Sequence, residues 1–76
     1  MTLMELAGAL RQMYDTAPAK RKATAIHLFG IKYADKIREA HYTPGDLLRA
    51  AGMKTSYAVE INKGMNLAEY VTLKNA

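Results

Sequence analysis

The chain has no cysteine and no tryptophan, one phenylalanine and two prolines among its 76 residues. Without cysteine, neither a disulfide nor a thiolate metal site can reinforce so small a core. Stability has to come from packing between elements, with a second subunit as a further source. No apolar run approaches the ~18 residues of a membrane span. The N-terminus lacks a basic region followed by an apolar block, so neither a membrane protein nor a secreted one is expected, and the cytoplasm is the expected location. β-branched residues are scarce beside Ala, Leu and Met, which favours helices over strands. No convincing strand is found, and therefore no strand-to-helix phosphate loop. Acidic residues are also in the minority, with 7 Asp and Glu against 11 Lys and Arg, a net charge of +4. Such a balance allows an anionic partner without identifying one. The length allows one domain, residues 1–76, near the lower limit for a self-sufficient core.

Thr2 and Glu5 form a Thr-x-x-Glu capping box. Behind it Leu3, Leu6, Ala7, Leu10, Met13 and Tyr14 recur at helical spacing and predict an amphipathic helix over residues 3–15. Thr16-Ala17-Pro18 ends it, because the residue before a proline is pushed out of the helical region. A second helix is expected from Pro18, with Ala19, Ala23, Ile26 and Phe29 on its inner side and a break at Gly30. Ile31, Ala34 and Ile37 then begin a third, ending near His41-Tyr42. Leu67 to Leu73 predicts two final turns that pack through Leu67, Tyr70, Val71 and Leu73. The fold expected is all-α, a small bundle of five or six short helices.

Residues 43–64, TPGDLLRAAGMKTSYAVEINKG, organise the rest. Thr43 suits an N-cap, Pro44 the first helical position, and Asp46 the positive end of the helix dipole. Leu47, Leu48 and Ala51 supply an inner face. Gly52 stops this helix, since glycine enters the left-handed conformation with least strain. Met53 is expected to plug the angle before a second helix that starts near Thr55 or Ser56, points Ala58 and Ile61 inward and closes at Gly64. In the register of Thr43, Leu47, Gly52, Met53, Ser56-Tyr57, Ile61 and Gly64, the segment resembles the helix-turn-helix of the lambda-repressor and Cro-like family, also called the xenobiotic-response-element family. The likeness runs from about Gly30 to Gly64 and implies DNA binding with the second helix in the major groove. Three departures stand beside it. Leu48 and Ala58 reverse the family's small and β-branched partners, which conserves volume. Pro44 replaces a phosphate-binding glutamine. Only twelve residues follow Gly64. The helix within residues 1–17 is an addition to the family pattern; it fills core space, and Leu3, Leu6, Leu10 and Met13 are also placed to form a dimer seam.

No catalytic constellation is visible, and an enzyme is not expected. His27 and His41 lie fourteen residues apart, about 21 Å along one continuous helix, too far to share a metal; they read as surface or half-buried histidines, and no cofactor is expected. Asp35 and Glu39 alternate with Lys36 and Arg38 as a solvated face. On the second helix of the unit, the outward face is expected to carry Ser56, Val59, Glu60 and Lys63, with Lys54 and Thr55 at its entrance. Val59 suits a thymine methyl and Glu60 the cytosine N4 amine, while Lys54, Thr55 and Lys63 suit phosphates. Tyr57 is expected half-buried with its hydroxyl free for a phosphate. Lys20-Arg21-Lys22 is the one dense basic run, a solvated helix start, an auxiliary backbone contact or, less well because the following apolar positions are needed for the core, a contact to an acidic membrane surface. Against a DNA partner, residues 43–76 are nearly neutral, four Lys and Arg to three Asp and Glu. The expected function is a prokaryotic or phage-type transcriptional regulator that binds double-stranded DNA as a homodimer. The alternative is an interaction module, antitoxin-like or for assembly, that binds protein.

Overall fold

A computed structural model describes residues 1–74. Among these there are four α-helices and two 3₁₀ turns, and no strand. Helix α1 (Leu3–Thr16) begins at the predicted capping box: the Thr2 hydroxyl accepts from the Glu5 N–H at 3.1 Å, and the Thr2 N–H donates to Glu5 at 2.8 Å. It ends where Ala17 turns extended ahead of Pro18. A 3₁₀ turn (Ala19–Arg21) leads into α2 (Lys22–Ala40), which stops at His41 in a left-handed conformation, φ 60°. Helix α3 (Pro44–Ala50), a second 3₁₀ turn (Thr55–Tyr57) and α4 (Ala58–Leu67) complete the fold.

The all-α expectation holds, but four α-helices replace the five or six expected. Gly30 does not break the second helix: α2 runs unbroken through it. A glycine inside a helix costs about 1 kcal/mol relative to alanine but keeps its backbone hydrogen bonds. At this position the missing side chain serves packing. A Cβ on Gly30 would lie 2.6 Å from the Ile61 carbonyl oxygen and 3.0 Å from the Gly64 Cα, and one on Gly64 would strike the His27 carbonyl. The two glycines mark where α2 and α4 cross at backbone contact, the most extensive packing between helices in the fold. Gly64 is therefore not the closing residue of its helix, which continues to Leu67.

Two further expectations are corrected. Ala19 and Ala23 are exposed, and the buried stripe of α2 is Ala25, Ile26, Phe29, Gly30, Ala34 and Ile37. After Leu67 the chain makes one more turn, with the Tyr70 and Val71 N–H groups donating to the Leu67 carbonyl, and then continues without regular secondary structure to Thr72 and Leu73. Leu67, Tyr70 and Val71 remain exposed. The β-branched pair Val71-Thr72 disfavours a helix, and two isolated turns are too short to hold themselves.

One core collects Leu6 and Leu10 from α1, Ile26, Phe29, Ala34 and Ile37 from α2, Leu47 and Leu48 from α3, and Ile61 and Met65 from α4. Leu6 and Leu10 have no exposed surface, so the seam of Leu3, Leu6, Leu10 and Met13 does not exist as an outer face. Helix α1 closes the core against α2 and α3.

Candidate nucleic-acid interface

The unit from Thr43 to Lys63 is set by its caps. The Thr43 hydroxyl accepts from the Asp46 N–H at 3.1 Å, the Thr43 N–H donates to Asp46 at 3.0 Å, and Pro44 occupies the first turn. That donation from the Thr43 N–H, above all, holds the Asp46 carboxyl below the usual carboxylate range. At the other end Gly52 takes φ +69°. Its N–H donates to the Arg49 carbonyl at 3.1 Å and the Met53 N–H to the Leu48 carbonyl at 2.8 Å, the paired bonds of a Schellman cap. Half-buried Met53 packs on the core at this corner, as expected.

Beyond the corner the backbone is extended at Lys54, makes its 3₁₀ turn, and enters α4. Ile61, Gly64 and Met65 are buried, and Ala58 packs half-buried against the core. Lys54, Thr55, Ser56, Val59 and Lys63 are all exposed, and Asn62 and Asn66 join them. The two asparagines, absent from the expected set, follow Val59 at helical spacing, which is the signal that could have found them. Val59 is 56% exposed, a large apolar side chain in the middle of a polar, cation-flanked surface.

Glu60 and Tyr57 face elsewhere. The Glu60 carboxylate meets the His27 imidazole of α2, and both side chains are roughly two-thirds or more shielded, with 26% and 32% exposure. Glu60 thus braces α4 against α2. The Tyr57 hydroxyl is hydrogen-bonded to the Tyr14 hydroxyl of α1 at 3.2 Å, with ring centroids 5.7 Å apart. That bond to Tyr14 is the main reason the Tyr57 phenol is pushed above its ordinary value.

The basic run divides. Lys20 and Arg21 are exposed. Lys22 donates to the Tyr14 carbonyl at 2.6 Å and the Asp15 carbonyl at 3.3 Å, and its ammonium lies 4.9 Å from the Tyr14 ring centre. It satisfies carbonyls in the last turn of α1, where a cation is also favoured by the helix dipole. The run therefore sits at the end of α1 whose Tyr14 touches Tyr57. His41 is an exposed cap, and among the described residues no group of three or more His, Asp or Glu could hold a metal. No helix among them is long and apolar enough to cross a membrane.

Two helices joined through a left-handed glycine, the second bearing an exposed mixed face, define a helix-turn-helix domain. The chain belongs to the HTH-like domain family, whose model matches residues 2–74 and so takes in α1 and the irregular tail as well as the central unit. No curated protein and no solved structure matches it.

Proposed function

We propose that the protein is a DNA-binding transcriptional regulator of prokaryotic or phage type that docks as lambda-repressor and Cro-like domains do. The observation that carries this reading is the exposed stripe of Val59, Asn62, Lys63 and Asn66 on α4, continuous with Lys54, Thr55 and Ser56. In the major groove Val59 would meet a thymine methyl and Asn62 or Asn66 an adenine edge. Lys54, Thr55, Ser56 and Lys63 would hold phosphates. Glu60 and Tyr57 support this face from behind, and Lys20 and Arg21 extend it along the DNA backbone. One short helix reaches few base pairs, so two copies reading two half-sites complete the proposal. The cytoplasm is its place of action. Selection from random-sequence duplexes tests it: enrichment of a motif with two-fold symmetry is expected, and an unenriched pool would refute base readout.

A second reading keeps the fold and gives the protein a protein partner. It is favoured by an apolar groove of about 550 Å³ over the outer side of α2, where Met13, Leu28, Ile31, Val71 and Leu73 line one surface.

A further inference from the structure

A second cleft, of about 270 Å³, lies between α1 and the corner of the helix-turn-helix, lined by Arg11, Tyr14, Gly52, Met53, Lys54 and Tyr57. Arg11 and Lys54 are donors only, while the hydroxyls of Tyr14 and Tyr57 both donate and accept. Arg11 uses its Nε on Asp15 at 3.0 Å and keeps both Nη groups unengaged among the described residues. Lys54 has no ion-pair partner among them. The two tyrosine hydroxyls share one bond at 3.2 Å, which consumes one O–H and leaves the other phenol hydrogen unspent. Among the described residues no carboxylate lines the cleft, and Asp15, one turn along α1 from Arg11, is held by it. A guanidinium fork, an ammonium and a spare O–H around one small space match a tetrahedral oxyanion.

We propose that this cleft binds a phosphate group, with Arg11 of α1 and Lys54 as its charged partners and the Tyr14–Tyr57 pair as a neutral donor. The inference rests on the DNA-binding reading for its occupant, a backbone phosphate beside the entrance of α4; a free phosphorylated molecule offers the same chemistry. Helix α1 then does more than close the core, because it carries one jaw of a clamp whose other jaw is the turn.

The test measures duplex affinity against salt for the intact chain, Arg11→Ala, Lys63→Ala and Lys32→Ala, alongside a titration with inorganic phosphate followed at the Gly52 and Lys54 amides. Arg11 is exposed and, among the described residues, partnered only by Asp15, so its alanine variant keeps the fold. Each duplex phosphate neutralised contributes about −0.9 to the slope of log K on log salt. Arg11→Ala is expected to flatten that slope by about one unit, like Lys63→Ala, while Lys32→Ala, in the groove lined by Met13, Leu28 and Val71, leaves it unchanged. Duplex binding with an Arg11→Ala slope equal to that of Lys32→Ala overturns the clamp and leaves DNA binding standing. Amide shifts with phosphate that Arg11→Ala abolishes, without duplex binding, support the site with a free phosphate and refute the DNA reading. Neither response overturns both.

Discussion

Gly30 and Gly64 carry a burden that their residue type alone does not reveal. At an open helical position, replacing glycine by alanine stabilises by about 0.5–1 kcal/mol, because alanine loses less freedom on folding. Gly8 is such a position, with nothing within 4 Å of the site of a Cβ. Gly64→Ala would instead drive a methyl group into the His27 carbonyl and push the two helices apart, costing on the order of 1–3 kcal/mol or more. Denaturant melts of the two variants should move in opposite directions; a Gly64→Ala protein as stable as the parent would mean the helices do not cross here. His41 poses the opposite case, a side chain at φ 60°. His41→Gly should relieve left-handed strain and raise stability by about 1 kcal/mol, read from the same melts. A loss would show that the imidazole is engaged elsewhere.

Several element ends are set by local chemistry, and those ends were legible for that reason. Thr2 with Glu5, Thr43 with Asp46, Pro44, Pro18 and Gly52 each act within four residues of chain, so the sequence contains the whole interaction. Helix faces were less legible. Glu60 is adjacent to Ile61 and lies on the flank of α4, and which way a flank faces is decided by a neighbour, here His27 of α2. Likewise Gly30 reads as a break until its crossing partner is seen. The caps carry a consequence for pH. A carboxyl whose folded pKa is lowered stabilises the fold above its unfolded value, and loses that contribution as pH falls through the folded one. Glu5 and Asp46 both have lowered values, each chiefly through donation from a capping backbone N–H, of Thr2 and Thr43 respectively. Thermal midpoints should therefore drop on acidification through and below the ordinary carboxylate range, and Asp46→Asn should flatten that drop while costing stability near neutrality. An equally steep acid limb in Asp46→Asn would remove the cap from the explanation.

At the scale of the whole molecule, α1 is indispensable because Leu6 and Leu10 lie at the centre of the shared core. Deleting residues 1–15 should abolish cooperative thermal unfolding; a truncated chain with a sharp transition would show that α2 to α4 can close a core alone. Leu48→Ala, at another fully buried position, should cost about 2–5 kcal/mol by the cavity it leaves. The helical class, the place of the turn and the stripe of Lys54, Thr55, Ser56, Val59 and Lys63 could be read from periodicity and capping, which are properties of short segments. The tight α2–α4 crossing, the Tyr14–Tyr57 bridge and the course of the tail, where Val71 and Leu73 lie beside Met13 and Leu28, could not, since each depends on residues more than thirty positions apart. The central claim is that the outward face of α4 reads bases. Its most direct test compares the affinity of the intact protein and Val59→Ala for a selected duplex and for the same duplex with thymines replaced by uracils, which lack the 5-methyl group. The intact protein should lose roughly fourfold in affinity on removal of the contacted methyl, about 0.8 kcal/mol for one buried methyl group, and Val59→Ala should be indifferent to it with an unchanged salt slope. Equal loss in both proteins, or no loss in either, would contradict readout by Val59 and with it the placement of α4 in the groove.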